Sequence, residues 1–193
     1  MNRFSLALAG AAFASLSALS PAAAFDAEIL KLNSYPPLGS SGKPQAVAVP
    51  RETVNYDGAY GAGTILISTS ERRMYYVLPG RQAIKYGVGV GRPGFEWSGV
   101  KTISQKREWP DWTPPAQMLA RRPDLPRHMV GGIANPLGAR ALYLGSSLYR
   151  IHGSNEPETI GQAVSSGCIR MTNEDVTDLY ERAKVGTKVV VLR

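Results

Sequence analysis

The sequence predicts a mainly β domain with one or two short helices. Short runs of β-branched and aromatic residues are separated by turn residues, only one long segment has a helical period, and no internal repeat is visible. The chain has 193 residues, of which 44% are hydrophobic and 19% charged. That length suits one ordinary domain with a terminal extension, and that composition excludes a disordered or fibrous protein.

Seven segments have the composition of β-strands. Turn residues such as Pro79-Gly80 separate the first of them, which predicts consecutive neighbouring strands. The predicted strands cover residues 64–70, 74–78, 83–90, 100–105, 141–144, 148–152 and 188–192.

One helix is predicted with a clear start. Thr172 stands three positions before Asp175, as in a capping box. Apolar residues then recur at helical spacing until Gly186. A shorter helix is predicted from the prolines at 114 and 115 to residue 120, because proline suits a first helical turn. Residues 109–138, which include this helix, form a long proline-rich excursion.

The first 24 residues have the pattern of a signal peptide. Arg3 is the only charged side chain before Asp26, residues 4–19 are mostly Ala and Leu, and residues 22–24 form an A-x-A cleavage pattern. The apolar run is too short and too rich in serine for a membrane anchor, and no cysteine follows it for lipid attachment. We therefore predict a signal peptide at 1–24, a flexible tether at 25–59 and a folded domain at 60–193, with no stable membrane insertion after cleavage.

Charge and motif content exclude several function classes. The chain has 22 Lys+Arg and 15 Asp+Glu, a net charge of +7, but the basic residues are scattered, unlike the clusters of nucleic-acid-binding surfaces. Residues 89–94 match G-x-G-x-x-G without the helix that a dinucleotide site needs. Residues 40–43 match S-x-x-K, but they lie in the predicted tether and lack the partner motifs S-D-N and K-T-G. With one cysteine and two histidines, we predict no metal site and no cofactor.

The remaining candidate site combines Cys168 with a histidine. Cys168 is the only thiol, it follows Ser-Ser-Gly, and structural cysteines of exported proteins normally come in pairs. A thiol needs a nearby base or cation to ionise at neutral pH. His152 ends a predicted strand and is better placed than His128 to be that base. Taken singly, each residue is also compatible with a purely structural role; together they favour a cysteine nucleophile.

Three sequence blocks then resemble the L,D-transpeptidase (YkuD-like) catalytic domain family. They are I-H-G followed by S-S-G-C-I-R-M, then N-E-D-V-x-D-L-Y, then V-G-T-K-V-V-V-L, and the resemblance spans about residues 63–192. It implies an L,D-transpeptidase-type β-sandwich or barrel. It also implies that Cys168 is the nucleophile, that His152 is its general base, and that the carbonyl of Gly153 orients the imidazole.

The resemblance implies further roles in the same motif. The N–H groups around Gly167 and Cys168 would form the oxyanion hole. Arg170 would either hold the site together or contact a substrate carboxylate. The family's commonest motif is S-H-G-C, whereas this chain has Ser166 at the histidine position. A hydroxyl can form hydrogen bonds but cannot take up a proton at neutral pH, so His152 is the only histidine of the motif.

The implied activity is acyl transfer on peptidoglycan stem peptides in the periplasm, with 3–3 cross-links as product. The acceptor stays open, because an amine of an outer-membrane protein or water would resolve the same acyl-enzyme. A non-catalytic peptidoglycan-binding module is the alternative from another class. Residues 109–138 are a candidate wall or lid, with Trp109, Trp112 and Arg121 as candidate substrate contacts; a surface loop packed for its own stability is the other interpretation.

Overall fold

The computed structural model describes residues 49–193. The predicted signal peptide and residues 25–48 of the predicted tether lie outside the described residues. The described part is mainly β with two short α-helices, which confirms the predicted fold class. The strands are β1 (Glu52–Asn55), β2 (Ile65–Ser68), β3 (Arg73–Leu78), β4 (Gln82–Gly87), β5 (Val90–Gly91), β6 (Gly99–Glu108), β7 (Arg140–Leu144), β8 (Arg150–His152), β9 (Ala163–Ser165), β10 (Ile169–Arg170) and β11 (Lys188–Leu192). The helices are α1 (Ala116–Arg121) and α2 (Asn173–Arg182), and a 3-10 turn covers Pro157–Thr159.

Nine strands form one mixed sheet, in the order β1-β4-β3-β2-β11-β6-β7-β8-β10, and β5 pairs separately with β9. The long strand β6 joins the two halves of the large sheet. Its first half pairs with β11 and its second half with β7, and the register shifts between Ile103 and Gln105. Such an irregularity bends a strand. Both halves therefore contribute to a single buried core, for example through Ile67 from β2 and Leu142 from β7.

The strand β1 corrects the predicted domain boundary. It lies within residues 25–59, which the sequence predicts to be a flexible tether, yet it pairs antiparallel with β4 along Glu52–Asn55. Its side chains are mostly exposed. The pairing depends on main-chain groups at a sheet edge, and such an edge strand leaves little hydrophobic pattern in the sequence.

Helix α2 packs against β7 and β8 of the large sheet. The Oγ1 of Thr172 accepts a hydrogen bond from the N–H of Asp175 at 3.1 Å, so the predicted cap is present. Val176 and Leu179 are fully buried on the core side. The helix ends at Arg182, earlier than the predicted end at Gly186, which instead has a φ of 91° in the turn before β11. No helix among residues 49–193 has the length and hydrophobicity needed to cross a membrane.

Candidate active site

The predicted nucleophile and base face the same cavity, which has a volume of about 830 Å³. Its floor consists of β8, β10 and the turn before β10, and its wall belongs to the proline-rich excursion at 109–138. Cys168, His152, Ser166 and Arg170 all line it. The structure thus brings together four of the residues that the sequence singles out.

The pairing of β8 with β10 explains why these side chains share one surface. The two strands run parallel, with Ile169 opposite Ile151 and Arg170 opposite His152. Side chains alternate between the faces of a strand. The two isoleucines point into the core, where they are 1% and 0% exposed. His152 and Arg170 therefore point to the other face.

His152 is held in one tautomer by its neighbour. Its Nδ1 lies 2.6 Å from the carbonyl oxygen of Gly153. A carbonyl only accepts hydrogen bonds, so Nδ1 carries the proton and Nε2 keeps a free lone pair. Gly153 is itself packed closely, because an added Cβ would lie 2.3 Å from Oδ1 of Asn173.

Burial keeps the imidazole neutral. His152 is only 4% exposed. Burial, followed by the positive charge of Arg170 and then that of Arg150, lowers the pKa of His152 to about 3, against the opposing hydrogen bond to Gly153. At neutral pH the ring is therefore an uncharged group with an available proton-accepting nitrogen.

The thiol of Cys168 is protonated at neutral pH. Burial raises its pKa, which the charges of Arg150 and Arg170 offset only in part. Its Sγ donates to the carbonyl oxygen of Leu148 at 3.7 Å. The sequence predicts His152 as the partner of this thiol; among the described residues, the hydrogen bond that the thiol donates goes to Leu148.

Ser165 fixes the main chain of the turn at 165–168, which carries Cys168. Its Oγ donates to the carbonyl oxygen of Cys168 at 2.6 Å and accepts from the N–H of Gly167 at 3.1 Å. Of the two N–H groups that the sequence places around an oxyanion hole, that of Gly167 therefore already has an acceptor within the turn.

A cation lies beside Ser166, where the family commonly has a histidine. Nη1 of Arg92 donates to Oγ of Ser166 at 3.1 Å. The Arg92 guanidinium also lies 4.1 Å from the ring centre of Phe95, and the guanidinium of Arg121 lies 5.1 Å from the same ring. Arg92 is not predictable from the local sequence, because its only local signal is a position inside the rejected glycine motif.

Arg170 has an internal ion-pair partner. Its Nη1 donates to Oε2 of Glu156 at 2.9 Å, so it links the floor to the segment after β8. Arg150 also lines the cavity, and its guanidinium lies 5.0 Å from the ring centre of Tyr143. Sequence reasoning misses Arg150, although its position two residues before His152 on a strand predicts a side chain on the same face.

Two of the three candidate substrate contacts reach the cavity. Trp112 and Arg121 line it. Trp109 does not, and the prediction for this residue is wrong: it lines a separate cleft with Arg107 and Asp111. The main-chain N–H of Trp109 donates to the carbonyl oxygen of Ala139 at 2.8 Å. This bond places Trp109 at the base of the excursion, beside the sheet.

The excursion at 109–138 forms the wall, and the amide of one buried side chain bonds to main-chain groups from different parts of it. Asn135 is 1% exposed. Its Nδ2 lies within hydrogen-bond distance of the carbonyl oxygens of Pro110, Met129 and Val130, at 3.2, 3.2 and 3.0 Å. Its Oδ1 accepts from the N–H of Leu137 at 2.9 Å. Both ends of the excursion are thus joined through a single amide.

The G-x-G-x-x-G match at 89–94 is not followed by a helix, and the S-x-x-K match at 40–43 lies outside the described residues. After β5, residues 92–98 form turns and irregular chain, and Gly94 has a φ of 83°, so no helix follows the G-x-G-x-x-G match. Within residues 49–193, no group of three or more His, Cys, Asp or Glu side chains is placed to hold a metal ion.

Comparison with known protein families shows which family this chain belongs to. The family model for the YkuD L,D-transpeptidase catalytic domain matches residues 62–191. This chain belongs to that family. The matched range begins after β1, includes β2–β10 and nearly all of β11, and contains the whole floor of the cavity.

Curated relatives agree with this assignment. The chain is 37% identical over 138 residues to the probable L,D-transpeptidase YcfS and 39% identical over 134 residues to the probable L,D-transpeptidase YbiS, both of Escherichia coli K12. These matches cover 66% and 65% of this chain but 43% of each relative. The shared part is thus less than half of either relative.

Solved structures share the L,D-transpeptidase fold. An L,D-transpeptidase from Mycobacterium smegmatis has a TM-score of 0.55 at 16% identity and covers 67% of this chain and 58% of its own. A Brucella melitensis structure described as a probable carnitine operon oxidoreductase is 45% identical, with a TM-score of 0.51 over 75% of this chain and 94% of its own.

Proposed function

We propose that this chain is an exported L,D-transpeptidase that forms an acyl-enzyme through Cys168. In this proposal it acts on peptidoglycan tetrapeptide stems, releases the terminal D-alanine and makes 3–3 cross-links. The observation that carries the proposal is the placement of a thiol and a neutral imidazole on the floor of one cavity. A binding module has no need of either group in this arrangement.

The chemistry follows from the two pKa directions. Since both groups are uncharged at rest, the thiol proton must move to Nε2 of His152 as sulfur attacks the carbonyl between the diamino acid and the terminal D-alanine. The tetrahedral intermediate collapses to a thioester, and the proton passes from His152 to the departing amine of D-alanine. An amine of a second stem then attacks the thioester, and the thiol is restored.

The charge of the cavity suits an acidic peptide. Four arginines line it, whereas Glu156 is its one acidic residue. Arg170 pairs with that glutamate, and Arg122 pairs with Asp124. Stem peptides carry carboxylates, and clustered guanidiniums bind carboxylates well. This charge balance supports a peptidoglycan substrate over a neutral one.

The wall supports transfer over hydrolysis. Acyl transfer to an amine requires that water is kept from the thioester. Residues such as Met118, Pro126 and Leu137 place an apolar surface opposite the floor. The same acyl-enzyme would also serve a protein amine, including one on an outer-membrane protein. Export to the periplasm is part of the proposal and is supported by the sequence of residues 1–24.

The test uses intact mass and product analysis with a purified disaccharide-tetrapeptide. Wild type should release D-alanine and produce a cross-linked dimer, whereas Cys168→Ala should do neither. His128→Gln is the matched control, because His128 is exposed and bonded to Thr113 and Asp111 outside the floor. D-alanine release without a dimer would replace cross-linking by hydrolysis or by transfer to a protein amine. No release by wild type would overturn the enzyme assignment in favour of a binding module.

A further inference from the structure

Trp97 contacts the main chain of the turn at 165–168, although Trp97 is not part of the L,D-transpeptidase motif in the sequence. It lies between β5 and β6, and its indole Nε1 donates to the carbonyl oxygen of Gly167 at 2.7 Å. Gly167 immediately precedes the nucleophile. The contact therefore acts on the peptide group that joins Gly167 to Cys168.

The indole is itself held in place. Its ring stacks on that of Tyr149, with centroids 4.7 Å apart and planes 2° from parallel. Tyr149 in turn packs on Gly167, because an added Cβ there would lie 2.5 Å from Cε1 of the tyrosine. Nζ of Lys101 lies 5.5 Å from the Trp97 ring centre. The hydrogen bond thus comes from a donor with little freedom to move.

The hydrogen bond from Trp97 also affects the direction of the Cys168 N–H, because that N–H belongs to the same peptide group as the C=O of Gly167. The described residues contain no cis peptide bond, and in a trans peptide the C=O and the N–H point in opposite directions. Trp97 is not among the residues that line the cavity, whereas Cys168 is. Because the C=O of Gly167 is directed at the indole, the N–H of Cys168 points away from the indole.

We propose that Trp97 is a positioning residue that aims the N–H of Cys168 at the oxyanion of the acyl-transfer intermediate. This inference rests on the proposed function. Ser165 already occupies the N–H of Gly167, so the orientation of the Cys168 peptide carries more of the stabilisation than in a site with two free donors. Removing an oxyanion donor outright typically costs 100- to 1,000-fold in rate. Loss of the indole N–H only loosens the donor, and we expect a loss of about 10- to 100-fold in kcat.

The experiment compares two reactions of the same thiol. D-alanine release from the tetrapeptide passes through an oxyanion. Alkylation by iodoacetamide does not, since the thiolate displaces iodide from a saturated carbon. Trp97→Phe should lower kcat for D-alanine release with little change in KM, and leave the alkylation rate and its pH profile within about twofold of wild type.

Two further variants serve as controls for Trp97→Phe. Trp109→Phe is the matched control, because it makes the same change at a tryptophan outside the cavity, and both reactions should keep their wild-type rates. If Trp97→Phe unfolds, benzothienylalanine at position 97 replaces only the indole N–H by sulfur and keeps the stacked bicyclic ring. Circular dichroism and thermal melting establish that each variant is folded.

Each outcome bears on a different claim. An unchanged kcat in either position-97 variant would overturn the positioning role. Equal losses in D-alanine release and alkylation would also overturn it, because they would show general damage to the turn. Absence of D-alanine release by wild type itself would count against the proposed function instead.

Discussion

The floor and the wall of the cavity are built in different ways. The floor consists of two very short paired strands and a turn whose main-chain groups are bonded locally, and its central residue His152 is 4% exposed. The wall spans residues 109–138, and its one helix, α1, has no buried residue. Asn135 joins its two ends through one amide. Sheet register therefore places His152 and Arg170 on one face of the floor, whereas hydrogen bonds between distant parts of one loop, those of the Asn135 amide among them, hold the wall.

The largest effect is expected from crowding the floor. Gly167 has a φ of 105°, and an added Cβ would lie 2.5 Å from Tyr149. Gly167→Ala must shift the turn, and a displacement of about 1 Å at a reacting group can cost about 100-fold in rate. We expect kcat for D-alanine release to fall by at least about 100-fold.

The control for Gly167→Ala is Gly161→Ala. Gly161 has a φ of 85°, but a Cβ there would meet nothing within 4 Å. This variant should lose about 1 kcal/mol of stability through backbone strain alone and keep kcat within about twofold. Comparable kcat losses in both variants would show that strain, and not the packing of the turn on Tyr149, is the cause.

A smaller and different effect is expected in the wall. Asn135→Ala leaves the buried carbonyl of Pro110 and the buried N–H of Leu137 without their partner, which should lower the free energy of unfolding by about 3 kcal/mol. KM should rise more than kcat falls, because the floor stays intact. Urea unfolding and steady-state kinetics measure the two quantities.

Asn155→Ala provides the comparison for the wall variant. The Asn155 side chain is exposed and donates one hydrogen bond, to the carbonyl of Ala134 at 3.1 Å. We expect it to cost less than about 1 kcal/mol. If the two asparagine variants unfold at the same urea concentration, the wall does not depend on the buried amide.

The smallest effect is expected in the pH dependence of stability, which should differ between variants of the two histidines. The pKa of His152 is about 3 in the folded protein and 6.5 as the ordinary value. Between these values the unfolded chain binds a proton that the folded protein excludes, so stability falls as pH falls from about 6.5 towards 3. Comparing pH 7 with pH 4.5, His152→Gln should lose about 2 kcal/mol less stability than wild type.

His128→Gln serves as the control in the wall, where the histidine is half exposed. The same substitution at this exposed position should change the dependence of stability on pH less than His152→Gln does. Equal changes in the two variants would show that the protonation of His152 is not coupled to folding.

Much of the fold and site was predictable from local sequence. The cap of α2 at Thr172 depends on residues three positions apart, and the Ser-Ser-Gly-Cys turn on four consecutive residues. Local hydrogen bonding and alternation of side chains suffice for such features. The edge strand β1 was not predictable, because its pairing with β4 is long-range and its side chains are mostly exposed.

The sequence by itself determined the family, the mainly β class and the identity of Cys168 and His152 as the candidate reacting pair. Only the tertiary structure decided which other residues surround them. It placed Arg92 against Ser166, put Trp97 against the carbonyl of Gly167, and left Trp109 outside the cavity. The first two contacts join residues 74 and 70 positions apart. Sheet pairing and register bring such residues together, and spacing along the chain does not encode them.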